Sequence, residues 1–273
     1  MMLNIQTSVA PDTAQIAAWA ARLRLQKEMN SARDMLFHLS RKFPGNTGIR
    51  ELLDWHRHEW WQDLSFGGIR LVRRSPEHLD FVWSVILNES FSRNLKNIPS
   101  GITPKDVLKM LTHDEAALLP ESRAMQWVIF KGDTPIGLSM FVNINFHNRS
   151  AEQILGILPE FDHTFDVSSA YCASLAWAFN TMGLNKVYGL IYGGNSAAAD
   201  LQERLGFRRE AYFKKDIWNE RSQRYEDMLQ IGLLQEEFDE NPRLQKLVQR
   251  GQRSPWLMER QNWPRHPFTP PLE

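Results

Sequence analysis

The apolar positions of the chain repeat with two different periods, and the change between them divides it. Over residues 12–29, 31–42 and 47–62 the spacing is helical, and on the third of these Ile49, Leu52, Leu53, His56 and Trp60 recur three and four apart on one face. Pro44-Gly45 separates the second helix from the third. After Gly67-Gly68 the pattern changes to a short strand over 69–74 and two helices. Each helix starts with a hydroxyl residue before a proline, Ser75-Pro76 and Thr103-Pro104, where the missing N–H of proline costs nothing. Strand-like runs at 127–130, 136–146 and 151–158 follow, divided by Gly132-Asp133 and His147-Asn148. A helix at about 167–182, a strand over 186–192, a helix at about 196–205 and strands near 207–218 and 224–234 complete the unit. Strands interleaved with helices in this order predict an α/β (α+β) domain with a mixed sheet covered on both faces.

A chain of 273 residues suits one full-sized domain with appendages. The expected division is a helical module over 1–65, a domain over 66–236 and a tail over 237–273. Hydrophobic residues at 42% and charged residues at 23% are ordinary for a globular protein, and no apolar run is long enough for a bilayer, so no membrane association is expected. The N-terminus lacks a basic segment followed by an apolar one, and the lone Cys172 can form neither an internal disulfide nor a thiolate cluster; a cytoplasmic setting is expected. Lys+Arg and Asp+Glu balance at 32 each, which argues against charge-driven binding of the whole chain to nucleic acid. From Asn241 onward, however, basic residues outnumber acidic ones and alternate with Trp256, Trp263 and Phe268, the make-up of an arm that binds a protein partner or single-stranded nucleic acid, or that docks on its own domain, the reading favoured here.

The segment 191–207 carries the strongest motif: a strand, a turn holding Asn195, a helix with Ala198, Leu201 and Leu205 on one face, and a Leu-Gly-Phe stop in which Gly206 can adopt the left-handed conformation that ends helices. It resembles the signature of the Gcn5-related N-acetyltransferase (GNAT) family, and residues 143–161 resemble a strand hairpin of the spermidine- and ribosomal-protein-acetylating branches. The resemblance runs without a gap from Arg149 to Phe207, and loosely over about 170 residues. It implies a GNAT fold of about seven strands with an N-terminal all-helical extension. Residues 31–46 more faintly resemble half of a tetratricopeptide-type hairpin; no second copy follows to bury its face, so a helical cap on the domain, or a surface for a protein partner, is expected there.

The GNAT resemblance further implies transfer of an acetyl or other acyl group from acyl-CoA, as co-substrate, to the amine of a small molecule or protein by direct attack. Such a reaction needs positioned reactants, a backbone donor for the thioester carbonyl, and routes for two protons. Leu155, Gly156, Ile157 and Leu158 match the strand that supplies that donor; His163, Thr164 and Phe165 fall in the turn that cradles the diphosphate, and Asn195 lies beside both catalysis and the donor. Glu152, Asn195 and Tyr192 are the catalytic candidates, with His147 beside Glu152 as base or water relay and Tyr171 beside Tyr192 as a substitute acid.

Two departures stand out. The diphosphate turn of the family is small and basic or amide-bearing, whereas this one reads Glu160-Phe161-Asp162-His163-Thr164-Phe165-Asp166. A carboxylate about 5 Å from a phosphate charge costs about 3 kcal/mol at an effective dielectric of 20, and Asp166 is placed to cap the following helix itself. Seven residues after Asn195, where many relatives carry a tyrosine that protonates the departing thiolate, stands Gln202, which donates hydrogen bonds but releases no proton. Lys96, where polyamine-acetylating relatives carry acids, disfavours a polyamine. His56 and His58 point about 200° apart on a helix, so no metal is expected there. Two rival readings follow: a catalytically degenerate GNAT-fold scaffold, and a transferase fed by an acyl-carrier protein.

Overall fold

The computed structural model describes residues 12–26, 28–56, 63–92, 101–117, 119–161, 165–219 and 222–251. Three helices come first: α1 (Thr13–Leu25), α2 (Met29–Lys42) and α3 (Thr47–Trp55). Asp12 and Asn46 cap α1 and α3 by accepting from Ala14 N–H (3.3 Å) and Ile49 N–H (3.1 Å). The third helix stops at Trp55, with His56 as its C-cap, so it is shorter than the apolar spacing predicts; Trp60 lies outside the described residues. His56 is fully buried: Nδ1 donates to Leu52 O (2.6 Å) and Nε2 accepts from the Arg24 guanidinium, an arrangement that requires a neutral ring. Burial is the main cause that holds this imidazole down at about 4.

The sheet has eight strands in the order β1 (Leu64–Phe66), β2 (Ile69–Arg73), β3 (Met125–Lys131), β4 (Thr134–Asn145), β5 (Ser150–Ile157), β6 (Lys186–Tyr192), β8 (Arg224–Leu234), β7 (Arg208–Asn219). It therefore holds one strand more than expected. The extra strand is β1, three residues paired antiparallel with β2 through the Gly67-Gly68 turn, whose two glycines both take positive φ. That hairpin also carries the sheet across the expected boundary at residue 65. Helices α4 (Leu79–Leu87, entered through a 3-10 turn over Pro76–His78), α5 (Glu89–Ser92), α6 (Pro104–Ala116) and α7 (Leu119–Ser122) link β2 to β3. A full capping box opens α6, with Thr103 accepting from Asp106 N–H and Asp106 accepting from Thr103 N–H. Helix α8 (Phe165–Ala176), extended by a π turn over Trp177–Thr181, joins β5 to β6; α9 (Ser196–Arg204) joins β6 to β7; α10 (Gln235–Glu240) and α11 (Pro242–Gly251) follow β8.

Alternation along β3 sends Trp127 and Ile129 to one face and Val128 to the other. On the first face one continuous apolar cluster joins Ile16, Leu36 and Trp55 of the helical module to Trp127, Phe141 and Trp177, and on to Leu244 and Val248 of α11. The Trp127 and Trp177 rings meet edge to face at 5.0 Å, and Phe141 stacks on Trp177 at 5.9 Å. Helix α8 is buried nearly all round, and Ala170, Ala173 and Ala176 let it lie close to the sheet. The second face is covered by Val82 and Val85 of α4 with Val107 and Leu111 of α6. Residues 241–251, the first part of the expected tail, form a docked helix: Leu244 and Val248 are buried, and Gly67 N–H donates to Gly251 O (2.7 Å). Trp256, Trp263 and Phe268 lie outside the described residues.

Candidate active site

β5 and β6 form the parallel contact of the sheet, and it is short: Ser150 pairs with Lys186, Ala151 with Val187 and Glu152 with Tyr188. Beyond Glu152 the two strands part, β5 staying on β4 and β6 on β8. Splaying leaves backbone polar groups facing the gap without a ladder partner, and such groups demand hydrogen bonds from whatever enters. A cleft of about 440 Å³ opens there, within the size range of small-ligand sites. One wall runs from Gln153 to Ile157, the other from Gly189 to Tyr192 and on to Asn195, Ala198 and Gln202 of the turn and α9. Val167 and Tyr171 of α8 and Ser90 and Phe91 of α5 complete it. Among the described residues of these walls none carries a charged side chain.

Gly156 lies on the β5 wall of the cleft, against Phe91. A Cβ built there would lie 2.8 Å from the tip of the Phe91 ring, so only a bare backbone lets that ring rest on β5. Phe91 had no place in the sequence reading, because nothing local in residues 89–92 ties it to a strand more than sixty residues on. Opposite, Gly189 leaves room for Gln202, whose Oε1 would stand 2.9 Å from a Cβ at that position. Gln202 is buried and its Nε2 donates to the Tyr171 hydroxyl (3.0 Å). Burial raises the phenol of Tyr171 well above its ordinary value, opposed in part by that hydrogen bond.

Of the residues singled out in the sequence, Leu155, Gly156, Ile157, Tyr192 and Asn195 line the cleft. Asn195 caps α9, its side-chain oxygen accepting from Ala198 N–H (3.3 Å). Tyr192 is half-buried, and its phenol is raised by burial and by the Glu226 carboxylate. Leu158 stands just past the cleft, its N–H already donated to Ile136 O (2.8 Å). Glu152 sits at the last paired position, 3% exposed, and accepts from Asn143 Nδ2 (3.1 Å); the positive φ of Asn143 in a bulge of β4 turns that amide toward it. His163 and Thr164 lie outside the described residues, and Phe165 is exposed at the start of α8, away from the cleft walls.

Asp166 corrects an expectation. It lies inside the first turn of α8 rather than before it, and its Oδ2 forms an ion pair with Lys131 Nζ (2.8 Å). The helix starts two residues earlier than capping logic suggests, at Phe165 rather than Val167, and this carboxylate meets Lys131 at the end of β3. Burial of Cys172 on the same helix pushes its thiol up to about 12, leaving it an inert packing group. No described helix is long and apolar enough to cross a membrane.

Comparison with known proteins agrees with this architecture. The family model described as an acetyltransferase (GNAT) domain matches residues 69–208. An uncharacterised N-acetyltransferase of Bacillus subtilis, YoaA, is 28% identical over 158 residues, 55% of this chain and 85% of that protein. The spermidine N(1)-acetyltransferase of Vibrio cholerae is 28% identical over 103 residues, 38% of this chain and 58% of that protein. The crystal structure of a spermidine N-acetyltransferase from Vibrio cholerae in complex with CoA and spermine superposes with a TM-score of 0.56, at 20% identity, over 63% of this chain and 98% of that one. With the matched residues spanning half of its length, and with the splayed strands and the asparagine-capped helix in place, the chain belongs to the GNAT acetyltransferase family.

Proposed function

We propose that the protein transfers an acetyl group from acetyl-CoA to an amine by direct attack within the cleft between β5 and β6. The observation that carries this reading is the parting of those strands after Glu152 and Tyr188, which opens a lined cleft where a continuous ladder would leave none. Acetyl-CoA, when bound, supplies an acyl thioester already activated toward amines. The chain's part is to hold and orient it. The residues fit the thioester arm: Leu155, Gly156 and Ile157 offer backbone on one side and Gly189 to Tyr192 on the other, between described walls that carry no charged side chain. One finding favours a working donor site over a scaffold: Phe165 is exposed at the start of α8 and is not among the residues that line the cleft, so its ring does not plug it.

The acceptor end differs from that of a polyamine enzyme. The described walls carry no carboxylate to receive a polycation, and an unpaired ammonium is costly in such surroundings. The same lack of charge, together with Glu160 in the turn, supports a second reading in which the donor is an acyl-carrier protein, whose pantetheine arm brings no nucleoside. A cytoplasmic setting suits the buried free thiol of Cys172.

Calorimetric titration with acetyl-CoA, paired with melting curves, tests the proposal. At 100 times its dissociation constant the ligand should stabilise the fold by about 2.7 kcal/mol. Absence of heat and of any melting shift at millimolar acetyl-CoA would refute the CoA-dependent reading, and a response to acyl-carrier protein alone would favour the second.

A further inference from the structure

Resting on the reading that the cleft receives an acyl thioester, we propose that Gln153 selects the acyl group, its side-chain oxygen accepting a hydrogen bond from a hydroxyl carried by a short acyl chain. The donor that matches the cleft best is then a short hydroxyacyl thioester, and acetyl is the smaller group that enters but leaves this bond unmade.

Gln153 is the first residue of β5 beyond the last pair of the parallel ladder, Glu152 with Tyr188, and it lines the cleft. It stands where the two strands begin to part, at the closed end of the opening. Its side chain is 4% exposed, and Nε2 donates to Ser174 Oγ of α8 (2.7 Å). The serine fixes which way the amide is turned. Ser174 Oγ gives its single proton back to its own helix, where Ala170 O (2.8 Å) and Tyr171 O (3.1 Å) accept it. Only lone pairs remain to meet the amide, and turning the amide over would set two acceptors face to face. Oε1 is therefore directed away from Ser174, and it has no hydrogen-bond partner among the described residues. A buried carbonyl oxygen left in that state is destabilising, and in a cleft that takes up a ligand an N–H or O–H of that ligand offsets the loss.

Position and charge narrow the chemistry of that donor. The turn expected to cradle a diphosphate follows the opposite end of β5, after Ile157, about 13 Å of strand away from Gln153. A thioester that enters from that side brings its acyl group to Gln153. An ammonium on the acyl chain would be costly between described walls that carry no charged side chain, whereas a hydroxyl supplies the hydrogen without the charge. Leu155, on the same face of β5 as Gln153, and Ile191 of β6 give the rest of a short carbon chain apolar surface to rest on.

The test reads binding with matched pairs and needs no acceptor. Hydroxyacetyl-CoA and propionyl-CoA have the same length and differ by O–H against methyl; 3-hydroxypropionyl-CoA and butyryl-CoA repeat the comparison one carbon further out. Calorimetry on the wild-type protein should show the hydroxyl member of at least one pair bound about tenfold more tightly, as expected of one hydrogen bond to an otherwise unmatched acceptor. Gln153→Met, which keeps the length of the side chain and removes the amide, should bring that ratio to unity or below, with a melting curve to confirm folding. Equal affinities within both pairs, or preference for the methyl member, overturn the proposal on wild-type protein alone. A hydroxyl preference that survives Gln153→Met overturns it as well. Wild-type ratios at unity, with a uniform loss of all four thioesters and of free CoA in Gln153→Met, would assign Oε1 to an amide N–H of the pantetheine arm and overturn the role in acyl choice. Wild-type protein that binds none of these ligands removes the CoA reading itself.

Discussion

Gly156 shows how one missing side chain sets the shape of the cleft. Its packing against Phe91 predicts that Gly156→Ala lowers stability by about 1–3 kcal/mol through overpacking. Phe91→Leu should relieve part of that loss, so the double variant will be more stable than the sum of the two single changes; strict additivity in denaturant midpoints would show that the ring and the strand are not coupled. Much of the cleft was legible beforehand, since Leu155, Gly156, Ile157 and Asn195 were placed through contiguous motifs. What escaped were partners far apart in sequence. Phe91 meets Gly156 across two helices and two strands, and the Tyr171 hydroxyl meets an amide 31 residues away. Asp166 was misplaced because capping preference cannot foresee a lysine arriving from another strand.

Among the elements, those long enough to show a period were foreseen and the short ones were not. β1, at three residues, offers a single alternation, and α5 and α7, at four residues each, less than two turns. The spacing of Leu244, Leu247 and Val248 in α11 was present to be read, but the basic residues and prolines around it gave the region the look of a tail. How α6 is fastened to the sheet was likewise invisible: Asp114 accepts from Arg74 Nε (3.2 Å) and from Gln126 Nε2 (3.2 Å), and Arg74 is only 4% exposed. Removing one partner strands a buried guanidinium, so Asp114→Ala should cost about 3–5 kcal/mol, whereas exposed pairs such as Arg224–Glu226 contribute little. Urea midpoints of Asp114→Ala and Glu226→Ala measured side by side test this, and similar losses for both would contradict it.

For the whole molecule, the appendages on either side of the family domain share its main core rather than hanging from it. Leu244→Ala should therefore destabilise the entire protein by about 2–5 kcal/mol in a single cooperative transition, as a core cavity does. A separate early transition on melting would show instead that the C-terminal helices unfold on their own. The two margins of the sheet are unequal. The β1 side is short, and Gly251 O already occupies the N–H of Gly67. The β7 side is twelve residues long and bulged at Lys214-Lys215, where Asp227 Oδ1 accepts from Lys215 N–H (2.7 Å). Two copies that met through their β7 margins would each use up the long margin, leaving only the three-residue β1 strands as edges to carry any further addition.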